Sequence, residues 1–125
     1  CLDNRRLGKQ RVEGRQMQTA LQKGGGWSNH PATKMWSGRV EALMLYTDCC
    51  IREWMRRSFE NNMPLMLDIS APYVLKLQMP NWLGDDRFHA SHRAALLHKE
   101  PEWYSQFGWS EEPVLDYIWP RGDTE

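Results

Sequence analysis

Three successive glycines, Gly24-Gly25-Gly26, are the strongest constraint on what this chain can fold into. The run before them, "NRRLGKQRVEGRQMQTALQK", holds no proline and is rich in residues that favour helix. Glycine carries the largest backbone-entropy penalty in a helix, so three in a row end it. The spacing predicts a first helix capped by Asp3 or Asn4, running to about Lys23. After the stop, in "WSNHPATKMW", Asn29 is a plausible cap and Pro31 suits a first helical turn. From Pro31 or Ser37 to about Glu60, the apolar residues Met35, Val40, Leu43, Met44, Tyr46, Ile51, Trp54, Met55 and Phe59 recur at helical spacing. The start of this second helix is expected to break near Ser37-Gly38.

Residues 61–86 hold Pro64, Pro72 and Pro80 and no sustained period. They read as an irregular connection with a short helical turn around Tyr73–Leu77. Asp85 caps a third helix over about Asp86 to Lys99, with Phe88, Ala95, Leu96 and Leu97 as core candidates. Pro101 opens a short aromatic helix, "PEWYSQF", that Gly108 ends, and an extended cover segment with a frayed end follows. No strand pair appears. The class is all-α: residues 1–125 form a single-domain bundle of about three main helices with irregular connections and an extended C-terminal segment.

No run of about 18 apolar residues exists, so no membrane span is expected. With no signal-peptide pattern, the default address is cytoplasmic, alongside the nucleoid if DNA is the partner. The three cysteines, Cys1, Cys49 and Cys50, are odd in number and two are adjacent, which argues against a disulfide framework. Cys49 and Cys50 lie in an apolar helical run and read as buried, inert thiols.

The formal net charge is zero, which disfavours a generic nucleic-acid binder, but its distribution is polar. Residues 1–23 carry Arg5, Arg6, Lys9, Arg11, Arg15 and Lys23 against Asp3 and Glu13. Beyond residue 99 come Glu100, Glu102, Glu111, Glu112, Asp116, Asp123 and Glu125 against Arg121. Such a chain can turn a basic face to a polyanion and an acidic flank away.

At about 100° per residue, Leu7, Gly14, Met17, Ala20 and Leu21 share one arc of the first helix. Glu13 falls inside that arc, roughly 40° from Met17, with Gln10 and Arg6 on the same face. Arg5 and Lys9 lie on the other side. Burying a carboxylate costs several kcal/mol unless it is paired and hydrogen-bonded. Either Glu13 forms a buried structural pair, with Arg6 or a distant partner, or the row lines a cleft. In the second case Glu13 has an environment tuned for acid/base or charge-stabilising work, and the cations around it hold phosphates.

"LDNRRLGKQRVE", then "HPATKMW", then "SHRAALLHKEPEWYSQFGW" together resemble the pyrimidine-dimer DNA glycosylases, the phage endonuclease-V-type repair enzymes and their bacterial relatives. The likeness is nearer to uncharacterised bacterial members than to the phage enzyme, and covers about a third of the chain in the expected order. It implies an all-helical domain that grips duplex DNA around a cyclobutane dimer without cofactor or metal. An amine nucleophile attacks C1′ of the damaged nucleotide, a Schiff base forms, and β-elimination nicks the strand. The family's carboxylate stands about six residues after a leucine on the first long helix, the spacing of Leu7 to Glu13. By resemblance Glu13 stabilises the developing sugar cation and the Schiff base. Arg6 and Gln10 occupy positions that hold the lesion's phosphates or sugar, Trp103 and Tyr104 stack on bases or shape the pocket, and Arg93 with His92 approaches the backbone. Arg5 and Lys9 are further expected DNA contacts, and His30, in the loop after the glycines, either lines the same cleft or serves the helix cap through its neighbours.

The resemblance also implies a nucleophilic α-amine on a short segment before the helix, whereas Cys1 is only two residues ahead of the cap. Its amine would sit roughly 18 Å from Glu13 if the helix extended that far. A short upstream segment is therefore expected to be missing; otherwise Lys9 or Lys34 substitutes, or the lyase chemistry is lost. The protein is expected to act as a monomer on double-stranded DNA. Asp85, His89 and His92 share a helical face but have no distant fourth partner, so no metal is assigned. Two rival functions remain. One is a non-catalytic nucleic-acid-binding domain held by Arg5, Arg11, Arg15, Arg52, Arg56 and Arg57. The other, a thiol amidohydrolase using Cys1, lacks a β-sheet and a base beside that thiol.

Overall fold

The computed structural model describes residues 1–67 and 71–122. The acidic residues Asp123 and Glu125 and the frayed end of the tail lie outside them. The described residues are helical, with no strand. Helix α1 spans Asn4–Lys23, α2 is the single turn Pro31–Lys34, and α3 spans Val40–Arg56. A 3-10 turn, Pro72–Lys76, interrupts the long connection to α4, Asp86–Lys99. Helix α5, Pro101–Tyr104, runs into a second 3-10 turn, Ser105–Phe107. None of these helices is long and apolar enough to cross a membrane.

Local chemistry sets the boundaries. Gly24 takes φ 79° and returns its N–H to the Ala20 carbonyl, closing α1. Gly38, at φ 77°, separates α2 from α3 where the sequence predicts a break. Asp85 accepts the Arg87 N–H and starts α4. The cap of α2 is His30, whose Nδ1 accepts the Ala32 N–H at 3.0 Å; Asn29, the expected cap, stands one residue too early. Helix α3 stops at Arg56 and the chain reverses through Ser58, at φ 69°. Met55, in the last turn of α3, and Phe59, beyond its end, are 43% and 36% exposed although both belong to the apolar pattern.

Helices α1 and α3 run antiparallel, since Gly8 meets Trp54 while Gly14 meets Thr47. A Cβ on Gly14 would lie 2.3 Å from Thr47 Oγ1, so only glycine admits this approach. Beside the crossing the buried Gln18 donates to Thr47 Oγ1 at 3.0 Å, and Thr47 donates to the Leu43 carbonyl at 2.8 Å. The main core gathers Met17, Met35, Trp36, Ala42, Leu43, Trp82 and Phe88. Trp82 reaches it from the irregular connection, edge-on to Trp36 at 5.0 Å, with its indole N–H donated to the Met35 carbonyl. Asp48, fully buried on α3, accepts the N–H groups of Met66 and Leu67 and ties residues 66–67 to the helix. The thiols differ from the sequence reading: Cys50 is buried, whereas Cys49 is exposed.

Candidate active site

The polar row on α1 is present, but it splits. Arg6, Gln10 and Glu13 are all half-buried. Arg6 does not pair with Glu13. Its guanidinium lies 3.3 Å from Asp3 and 3.9 Å from Glu100, at the mouth of α5. Asp3 also accepts the Tyr104 hydroxyl and returns its own N–H to that oxygen at 3.1 Å. Burial alone would raise the Asp3 pKa, but the Tyr104 and Arg6 hydrogen bonds outweigh it and hold the carboxyl below its ordinary value. Burial, with the Asp3 carboxylate beside it, pushes the Tyr104 phenol up to about 12. Arg6 thus serves as a clasp between the start of α1 and α5.

Glu13 is left without an ion pair or hydrogen bond among the described residues. Its neighbour Gln10, one turn earlier, accepts the Tyr46 hydroxyl through Oε1 at 2.8 Å. Tyr46 projects from α3, and its phenol ionises only far above the ordinary tyrosine range. Burial is the main cause; Cys50 and the charge of Glu13 add to it. Burial likewise raises the Cys50 thiol to about 11. Both groups keep their protons at neutral pH. The arrangement is a free carboxylate and a carboxamide side by side, backed by a neutral phenol and thiol.

The other expected contacts fall elsewhere. Arg5 and Lys9 are exposed on α1 and have no partner among the described residues. Trp103, half-buried, donates its indole N–H to the Cys1 carbonyl at 2.8 Å, and the Arg57 guanidinium stands 5.9 Å over its ring. Tyr104 is fully buried, so its ring has no open face. Arg93 is engaged by Glu111 at 2.8 Å, which fastens the C-terminal segment to α4. His92 lies beneath that segment, its ring 4.4 Å from Phe88, 4.9 Å from Tyr117 and 5.2 Å from Trp119. His30 contacts the Trp27 and Trp119 rings besides capping α2. The expected residues therefore form separate groups: Gln10 with Glu13, Arg6 with the start of α5, and the two histidines with Trp119.

Several cations of the non-catalytic alternative are already engaged. Arg11 donates to Asn61 and stacks over Trp54 at 4.3 Å, and Arg15 donates to the Pro64 carbonyl at 2.7 Å. Arg56 and Arg57 both hold Glu53, whose pKa their hydrogen bonds draw down to about 2. Asp85 and His89 also have local uses: Asp85 caps α4, and His89 Nε2 accepts the Gly84 N–H at 2.9 Å. Among the described residues no group of three or more His, Cys, Asp or Glu side chains could hold a metal ion.

Sequence reasoning placed Tyr46 in the core and missed it as a site residue. The signal available was a tyrosine, with its polar tip, at a core position of α3; its partner lies 36 residues away.

An all-helical fold with a free carboxylate on its first long helix is the arrangement that the sequence likeness implies. The family model for pyrimidine dimer DNA glycosylase matches residues 1–67, more than half of the chain. The chain belongs to the pyrimidine dimer DNA glycosylase family, and at that level its function is DNA repair, with DNA as the substrate. No curated protein and no solved structure matches it.

Proposed function

We propose that this protein is a glycosylase with associated AP-lyase activity on dimerised pyrimidines in duplex DNA, with Glu13 as its essential carboxylate. The observation that carries the reading is Glu13 itself: half-buried on a helix of the family-matched region, and unpaired among the described residues. A structural carboxylate at such depth is ordinarily neutralised; one left open is available to substrate.

In the proposed reaction an amine forms a bond to C1′ as the glycosidic bond breaks, and the departing pyrimidine takes a proton. The bound amine loses a proton and its nitrogen lone pair then expels O4′; as the C1′–O4′ bond breaks, O4′ takes a proton and the opened sugar carries the protonated imine. Removal of a C2′ proton then expels the 3′ phosphate by β-elimination. Glu13 stabilises the positive charge at C1′ and on the imine nitrogen, and serves the proton transfers. Gln10 and Arg5 contact the damaged nucleotide and its phosphates. The protein acts as a monomer.

The test is borohydride trapping on duplex DNA carrying a cyclobutane dimer. The protein forms a covalent adduct and nicks the strand; Glu13→Gln does neither. Mapping the adduct assigns the amine, to Lys9, to Lys34 or to the α-amine of the mature protein. Neither adduct nor nick with the unaltered protein refutes the reading. The non-catalytic alternative predicts binding with steep salt dependence and no cleavage. The engagement of Arg11, Arg15, Arg56 and Arg57 by Asn61, the Pro64 carbonyl and Glu53 counts against it.

A further inference from the structure

A carboxamide beside a carboxylate is ambiguous, because rotation by half a turn exchanges its acceptor for its donors. The structure holds Gln10 in one of the two orientations. Its Oε1 is taken by the Tyr46 hydroxyl at 2.8 Å, and the planarity of the amide then turns Nε2 to the opposite side. That Nε2 donates to nothing among the described residues. Glu13 stands three residues on, roughly 60° around the helix, so the amide's free donors open beside a free carboxylate. The phenol is suited to hold this orientation. It comes from a different helix, α3, and is half-buried.

Resting on the function proposed above, we infer that Tyr46 is a positioning residue, which fixes Gln10 as a hydrogen-bond donor to an oxygen of the damaged nucleotide. Tyr46 touches no substrate; it acts through Gln10. Were the carboxamide reversed, its oxygen would face a phosphate or sugar oxygen beside Glu13, setting acceptor against acceptor where the substrate binds.

The experiment is a double-mutant cycle of Tyr46→Phe and Gln10→Ala, with single-turnover nicking of dimer-containing duplex as the readout and thermal unfolding as a control. Tyr46→Phe keeps the ring and loses one neutral hydrogen bond, so the rate constant is expected to fall about fivefold. In the Gln10→Ala background the same change is expected to shift it by less than about twofold, since the group being positioned is gone. A merely structural tyrosine would instead multiply its effect in both backgrounds. Full activity of Tyr46→Phe, or equal losses in the two backgrounds, overturns the inference. A second readout needs no turnover: the Gln10 side-chain NH2 resonances should be ordered in the unaltered protein and motionally averaged in Tyr46→Phe. Equal mobility in both proteins also overturns it. Failure of the unaltered protein to nick DNA would instead strike the proposed function, leaving the resonances to decide Tyr46.

Discussion

The α1–α3 crossing that positions Gln10 and Glu13 leaves no room at Gly14, so Gly14→Ala is a sharp perturbation. The added Cβ would meet Thr47 Oγ1 at 2.3 Å, Cγ2 at 3.1 Å and Cβ at 3.2 Å. Unstrained heavy-atom contact lies near 3.5 Å, so the closest approach is short by about 1 Å. Thr47 cannot yield cheaply. It is fully buried, donates to the Leu43 carbonyl and accepts from Gln18. Rotating it would strip Gln18 of a bond, although Gln18 is 2% exposed and its Oε1 already has no partner.

Overpacking of this kind costs about 1–3 kcal/mol, and the lost hydrogen bond about 1 kcal/mol more. The helix gain of alanine over glycine returns about 1 kcal/mol. The net expectation is a loss of about 2 kcal/mol, or roughly 8 °C in Tm for a chain of this length. Urea denaturation followed by tryptophan fluorescence checks it: the midpoint should fall with the m-value unchanged. The source of the loss is tested by repeating the substitution in a Thr47→Ala background, where the obstructing atoms are absent and the penalty should shrink by about 1 kcal/mol or more. Gly14→Ala as stable as the parent, or equally costly in both backgrounds, would refute the crossing argument.

Asp48→Ala removes the carboxylate that accepts the Met66 and Leu67 N–H groups, and should cost about 3 kcal/mol. Limited proteolysis should show cleavage after residue 60 well before the helices yield. His92 should make the C-terminal segment acid-sensitive. Burial, aided by the His89 and Lys99 charges, lowers its pKa from 6.5, although its backbone contact with Ile118 opposes this. The unfolded chain therefore takes the proton first, and the His92 contribution to stability is complete above pH 6.5 and lost as pH falls through the lower folded value. Unfolding midpoints of the unaltered protein and of His92→Phe should diverge below pH 6.5; parallel profiles would disprove it.

The helix boundaries were readable because their causes are local. A glycine after Lys23, an aspartate before Asp86 and a proline at position 101 each act within one turn. Leu7, Met17 and Ala20 turned inward as the wheel predicts, being 3%, 4% and 7% exposed. The same wheel places Gln18 in the apolar arc, roughly 20° from Leu7, yet a glutamine there carries no sign of its role until Thr47 is brought beside it. The pairing of charges was not readable. Arg6 with Glu100 and Arg93 with Glu111 join residues far apart in sequence, and lists of positive and negative residues do not say which will meet. Cys49 was misplaced for a related reason: two adjacent helical residues point about 100° apart, so both can face the core only in a helix enclosed on most sides. For the same reason Glu13 could be assigned to a face but not to a partner.

That missing partner gives the last prediction. Asp3, Asp48, Glu53 and Glu111 are each held by two or more hydrogen bonds. Neutralising any of them should weaken the fold. Glu13 differs: its charge bears on the Tyr46 phenol, and Arg6, which shares its face of α1, is drawn away by Asp3 and Glu100. Glu13→Gln removes an uncompensated charge at nearly constant volume, so stability should stay level or rise by up to about 1 kcal/mol. The same protein should have lost the borohydride-trapped adduct. A group that serves the fold gives the opposite result, a drop in the urea midpoint. Measuring both quantities on one preparation separates the cases: loss of stability together with loss of activity would make Glu13 a structural residue, whereas loss of activity alone is the mark of a carboxylate that the fold leaves free for substrate.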